Sequence, residues 1–406
     1  MIKAKKYRTR LVAVGVAGLM LVTACSSKSS SKSAASSVAA TTPAAASAPV
    51  VSSSTAASSS SSTAASAPAA ASGAASGTFK SRVTIPQTPP LVDTAKYKKT
   101  PPWTIGYSDA SLSNSARTFI WQFTQWAAST YPEIKKIVRT DANDNPNQQV
   151  SDIQNLVSQH VSCLIVSATS QTAIDPAIDA AQAAGIPVVI QERDVNTNSW
   201  TSFVDTQTYQ IGTLQAEAVA KILGGKGNVV LLEGLAGNGA AEQTHQGHVD
   251  TFKKYPGIHI LATQYSGWDP AKGKTIMEGW LQAFPHIDAV VSDSGLQNAG
   301  AYEAVQAAGR LSEIKAWTGD SLQQWIRQVQ ADHIPGAIVN RPLRFGAEAV
   351  DDCANILAGN TVPKRWYDPV EALDMNNLAK YITPNTAGSD QWWDWWDLPA
   401  QWEPKA

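Results

Sequence analysis

From position 103 onward, short apolar runs of strand length alternate with longer runs of helical periodicity, and the theme restarts once. Residues 103–107 read as a strand and 118–131 as a helix. A strand at 137–139 follows, then a helix at 146–159 that Asn145 and Pro146 open as cap and first-turn residues. A strand at 163–167, a helix at 174–184 ended by Gly185 and a strand at 187–191 complete the first series. Three β–α units in a row predict a parallel, doubly wound sheet.

The second series has helices at 209–223, 240–254, 271–283, 299–308, 321–331 and 345–358, with Gly224-Gly225, Gly309 and Gly359 as stops. Strands at 228–233, 258–264, 289–292, 314–318 and 336–340 lie between them. The expected fold is therefore α/β, with two lobes of similar make. Ligands of open α/β sheets bind beyond the carboxyl ends of the strands. Function is expected in the loops 108–117, 191–194, 234–239, 266–269, 293–295, 319–320 and 340–341.

The N-terminus carries an address rather than a fold. Lys3, Lys5, Lys6, Arg8 and Arg10 precede an apolar run at 11–22, too short for the ~20 residues of a membrane span but suited to a signal peptide. The run ends in Leu21-Val22-Thr23-Ala24-Cys25, small residues before a cysteine, and resembles a bacterial lipobox. Residues 1–24 are expected to be a lipoprotein signal peptide, with Cys25 as the lipid anchor. Residues 26–77 are almost wholly Ser, Ala, Thr and Pro, with Lys28 and Lys32 as their charges. Such a stretch buries too little apolar surface to order itself. Residues 25–102 are expected to be a disordered tether and lead-in, the stretch 26–77 having an r.m.s. span of ~40 Å.

The formal net charge is −1, and losing residues 1–24 removes five positive charges and leaves −6. A mildly acidic body argues against nucleic acid as a partner. Of the three cysteines, Cys163 and Cys353 fall in the folded part. They are either a disulfide, as export permits, or two buried thiols.

The loops hold hydrogen-bonding groups and aromatics rather than a catalytic machine. Glu192 and Arg193 can share the hydroxyls of a sugar, one accepting and the other donating. Trp268 offers a flat apolar face to the C–H side of a ring. Asp320 and Asn340 also end strands. No G-x-S-x-G, H-E-x-x-H or complete phosphate-binding loop is present, so no enzyme, cofactor or metal is expected. Gly234, Gly237 and Gly239 follow a strand without the lysine a phosphate cradle needs. His245 and His248 read as a solvated helix face.

These blocks together resemble the type 1 periplasmic-binding-protein family, closest to its ribose- and galactofuranose-binding members. The resemblance covers about 103–370. It rests on Asn143-Asp-Asn-Pro146-Asn-Gln-Gln149, on Ala183-Ala-Gly-Ile-Pro-Val-Val-Ile190 with Glu192-Arg193, on Leu231-Leu-Glu-Gly-Leu-Ala-Gly237, and on Trp268-Asp269 and Thr318-Gly-Asp320.

The resemblance implies two lobes joined by three crossovers near 206, 341 and 369, with the ligand in the cleft between them. It divides the chain into 103–205 plus 341–368 as lobe 1 and 206–340 plus 369–383 as lobe 2. Residues 384–406 remain as a tail carrying Trp392, Trp393, Trp395, Trp396 and Trp402. The implied ligand set is Asn114, Arg117, Glu192, Arg193, Thr244, Trp268, Asp293, Ser294, Asp320 and Asn340. Thr244 stands where many members have an arginine, and Ser294 where many have an asparagine. The implied function is a monomeric, extracytoplasmic, membrane-anchored solute-binding protein. It would capture a sugar or polyol and deliver it to the transmembrane subunits of an ABC permease. A ligand sensor feeding a membrane receptor or kinase is the alternative on the same fold.

Overall fold

A computed structural model describes residues 79–82, 89–367, 369–373, 378–379 and 382. The expectations for the signal peptide, Cys25, the tether to residue 78 and the tryptophan-rich tail lie outside the described residues. Those described belong to one compact unit.

The chain runs β1 (Leu91–Val92), β2 (Trp103–Asp109), α1 (Ser115–Ser129), β3 (Ile134–Asp141), α2 (Pro146–Ser158), β4 (Cys163–Val166), α3 (Asp175–Ala183), β5 (Val188–Gln191) and β6 (Ser202–Asp205). It continues with α4 (Thr208–Ile222), β7 (Lys226–Glu233), α5 (Gly239–Phe252), β8 (Gly257–Tyr265), α6 (Pro270–Ala283), β9 (Ala289–Ser292) and α7 (Gly295–Ala307). It ends with β10 (Ala316–Asp320), α8 (Gln323–Ala331), β11 (Gly336–Val339), α9 (Phe345–Ala358), β12 (Val362–Pro363), β13 (Arg365–Tyr367) and β14 (Ala372–Leu373).

Two six-stranded sheets carry the fold, in the orders β13-β6-β5-β4-β2-β3 and β14-β11-β10-β9-β7-β8. The first is parallel throughout, and in the second only β14 runs against its neighbour. Each sheet reverses its winding beside its first long strand, β2 in one lobe and β7 in the other. The register slips once in each lobe at the equivalent pair, at Trp103/Thr104 and at Val229/Val230. Central strands such as β4, β5 and β9 are buried along their whole length. That is why they read as unbroken apolar runs with no alternation.

The chain passes between the sheets after β6, after β11 and after β13. The first and third passages are tied together, since Arg365 on β13 donates to Asp205 at the end of β6 at 2.5 Å. β6, β12, β13 and β14 are short and mixed in composition, and none was expected from the sequence.

Residues 89–102, expected to be part of a disordered lead-in, instead form β1, antiparallel to β12, and a 3-10 turn at Ala95–Tyr97. The segment 79–82 also docks. Phe79 stacks on Tyr131, and Arg82 pairs with the buried Asp351 at 2.5 Å. Aromatic and ionic contacts to the first lobe order what composition alone leaves free.

Cys163 on β4 and Cys353 on α9 form a disulfide, with Cα atoms 5.8 Å apart. Both cysteines belong to the first lobe, 190 residues apart in sequence, and the loop they close contains the strands β7 to β11 of the second. Cross-links of this kind contribute about 2–5 kcal/mol.

Candidate functional site

The site forms where loops from both lobes meet beyond the strand ends. From the first lobe, α1 brings Asn114 and Arg117. Asn114 caps the helix, its Oδ1 accepting from the Arg117 amide at 3.2 Å, so its side-chain NH2 stays available. Glu192 and Arg193 follow β5. Glu192 has a left-handed φ of 62°, a conformation costly for a residue with a Cβ and common at functional sites. From the second lobe, Trp268 follows β8, Ser294 follows β9 and Asp320 ends β10.

Seven of the ten expected residues line one cavity of about 30 Å³: Asn114, Arg117, Glu192, Arg193, Trp268, Ser294 and Asp320. Ala116, Leu296 and Arg341 complete the wall. Hollows of about 360 and 220 Å³ lie along α7 and α8, but no set of buried charges converges there.

Three expected residues are placed differently. Thr244 is buried on α5, and its hydroxyl donates back to the Ala240 carbonyl at 2.9 Å, as helical threonines do. Asn340 turns away, its Oδ1 accepting from the Glu371 amide at 2.5 Å. Asp293 lies behind the wall and supports it, accepting from Trp268 Nε1 at 2.9 Å and from Gln297 Nε2 at 2.7 Å.

Arg341, in the expected loop 340–341 but outside the implied ligand set, joins the wall in place of its neighbour Asn340. Its guanidinium lies 3.6 Å from Glu192 of the first lobe and 3.8 Å from Asp320 of the second. Two expected acids at opposing strand ends were the available signal, because buried carboxylates require cations.

The electrostatics centre on Glu192. Arg117 donates to it at 2.5 Å, and Arg193 and Arg341 each approach to 3.6 Å. Burial works against the Glu192 carboxylate, but the three arginines outweigh it and hold its pKa below the ordinary value. Burial and the like charge of Arg117 lower the Arg193 pKa to about 10, while Glu192 and Asp144 work against that shift. Burial also raises the Asp320 pKa, against the pull of Arg341. Arg117 Nε and Arg193 Nε are buried donors without a hydrogen bond.

Trp268 also has a left-handed φ, 58°. Its ring lies over Gly234, where a Cβ would come within 2.3 Å of ring carbon. The Arg193 guanidinium sits 5.2 Å from the ring centroid, on the opposite lobe. Direct bonds between the lobes add to the closure. Asn238 Nδ2 donates to the Ala168 carbonyl at 3.2 Å, and Gln243 to Asp194 at 2.5 Å.

His248 corrects the expectation of a solvated helix face. It is fully buried, and both it and His245 contact Glu233 Oε1, at 3.0 and 2.9 Å. Glu233 ends a central strand, so the face of α5 that meets it turns inward. No group of three potential metal ligands occurs among the described residues.

A family model described as a periplasmic binding protein domain matches residues 105–361. A putative rhizopine-binding protein of Rhizobium meliloti is 28% identical over 302 residues, covering 73% of this chain and 96% of its own. The ribose import binding protein of Bacillus subtilis is 26% identical over 273 residues, covering 66% and 86%. Among solved structures, an ABC transporter solute-binding protein from Bacillus halodurans with bound myo-inositol superposes with a TM-score of 0.65 at 25% identity. That match covers 70% of this chain and 98% of the other.

Proposed function

Because this chain belongs to the periplasmic binding protein family, we propose that it captures a small sugar or polyol between its lobes and delivers it to an ABC permease. One observation carries this reading. Glu192 and Arg193 of one lobe and Trp268 and Asp320 of the other meet on a single cavity, with Arg341 between them. Relatives described as binding ribose, rhizopine and myo-inositol support the ligand class.

Each group has a role in this reading. Glu192 and Asp320 accept hydrogen bonds from hydroxyls, and the three arginines and Asn114 donate to ring and hydroxyl oxygens. Trp268 covers the C–H face of the ring. The cavity of about 30 Å³ is far below the ~300 Å³ of ordinary small-molecule sites. Entry therefore requires the lobes to part at the three passages. Contacts that the ligand makes to both lobes at once add to the direct bonds between the lobes and favour the closed form. A lipid on Cys25 and the Ser/Ala-rich tether would keep the domain at the outer face of a membrane.

The test is a thermal-shift screen of the purified protein against pentoses, hexoses, furanoses, inositols and acyclic polyols. A ligand at a thousandfold over Kd stabilises the native state by ~4 kcal/mol. In a body of this size that raises Tm by roughly 6 °C. A flat response across all of these classes would reject sugar and polyol capture.

A further inference from the structure

Beneath Trp268 lies a closed ring of buried polar groups. Asp293 accepts from Trp268 Nε1 and Gln297 Nε2 on its two carboxylate oxygens. Gln297 Oε1 accepts from Ser266 Oγ at 2.9 Å, and the Glu233 carbonyl accepts from the Ser266 amide at 2.9 Å. The Glu233 carboxylate meets His248 Nδ1, and His248 Nε2 meets Gln215 Oε1 at 2.8 Å. Gln215 Nε2 closes the ring on the carbonyls of Asp293 at 3.4 Å and Gly319 at 3.2 Å. Glu233, Gln215, His248, Ser266, Asp293 and Gln297 are all buried.

The donor inventory determines a charge state. Gln215 must aim its NH2 at the two carbonyls, because the flipped amide would set oxygen against oxygen. Its Oε1 then needs a proton from His248 Nε2. His248 Nδ1 faces a carboxylate oxygen, so one further proton lies between His248 and Glu233. Burial works against the Glu233 carboxylate, but His248 and His245, both on its Oε1, hold its pKa below the ordinary value, so the shared proton rests on the imidazole and Glu233 stays a carboxylate.

We infer that Glu233, His248 and Gln215 are positioning residues for the ligand-stacking Trp268, acting through Asp293, and that the His248 proton keeps Asp293 able to accept the indole N–H. This rests on the reading of the cleft as a sugar site. Burial and then Glu233 raise the Asp293 pKa to about 7, against Arg341 and the Trp268 hydrogen bond. The charged and titratable groups facing it are Glu233 from β7, Tyr265 from β8, Asp320 from β10 and Arg341 after β11, with His245 and His248 of α5 behind Glu233. Above that pH Asp293 accepts on both oxygens. Below it, one oxygen carries a proton and the grip on Trp268 weakens.

The experiment follows the indole N–H resonance of Trp268, assigned by its loss in Trp268→Phe, from pH 5 to 9 without ligand. In the wild type it should titrate near pH 7. Glu233→Gln removes a neighbouring negative charge and should move the midpoint down. His248→Gln leaves Glu233 with His245 as its remaining imidazole partner and should move it up. The double variant, which loses acid and proton together, should return close to the wild-type midpoint and does not depend on His248→Gln folding alone. Midpoints that fail to move in opposite directions, or an indole resonance left in place by both single variants, overturn the positioning role. Because this readout needs no ligand, it stands apart from the sugar screen. If the indole titrates as expected and no sugar or polyol binds, the reading of the cleft fails, and with it the role of these residues in ligand stacking.

Discussion

The loops leading into α2 and α6 are the same local device with different cargo. In the first lobe, β3 leads to Asp144, then Asn145 as cap and Pro146 as first helical residue. In the second, β8 leads to Trp268, then Asp269 as cap and Pro270. Asp144 and Trp268 both have left-handed backbones, with φ of 56° and 58°. Both address Arg193, Asp144 at 4.0 Å by charge and Trp268 at 5.2 Å by its ring face. The shared turn sets position, and the side chain mounted on it sets chemistry. Asp144 remains a third exposed at the rim, whereas Trp268 is clamped from below by Gly234 and Asp293.

The contrast can be broken first at the residue both loops share. Arg193→Ala should lower ligand affinity by ~100-fold or more, measured by calorimetry, with the circular dichroism spectrum unchanged. It removes a buried charge that donates to the Ala168 carbonyl and approaches Glu192. Retained affinity would show that the cleft lies elsewhere.

Next in size is the clamp. Gly234→Ala should displace the Trp268 ring and weaken binding by roughly tenfold, since relieving such overpacking costs ~1–3 kcal/mol. In a Trp268→Ala background the same change should add little. Equal effects in both backgrounds would mean that Gly234 acts through the strand and not through the ring.

The caps sharpen the comparison most finely. Asn145→Ala and Asp269→Ala should each cost ~1 kcal/mol of stability in denaturant melts. Only Asp269→Ala should also weaken binding, by a fewfold, because its loop carries the clamped ring. Equal binding losses would give Asp144 and Trp268 equal standing.

The helices and central strands were legible because their signals are local. Asn145 with Pro146, and Gly185, Gly309 and Gly359, mark helix ends through backbone conformation alone. β6, with only Phe203 and Val204 apolar, has no such signal and exists because β5 and β13 pair with it. The seven site residues that converge were legible because winding a parallel sheet puts every post-strand loop on one side. Arg341 and Asn340 were not separable in that way, because adjacent residues leave a strand end in opposite directions. Only the partner positions show that Asn340 turns to Glu371 while Arg341 turns to Glu192 and Asp320.

By itself the sequence determined the repeated β–α order, the two lobes and the side of each sheet where a ligand must sit. Periodicity and chain punctuation are properties of neighbouring residues, and they survive without any knowledge of the whole. The tertiary structure alone decided that Cys163 meets Cys353, that His248 is buried against Glu233, and that Arg341 stands between acids of both lobes. Each of these is a contact across many residues of chain. It is decided by which surfaces pack and by the cost of leaving a buried charge without a partner.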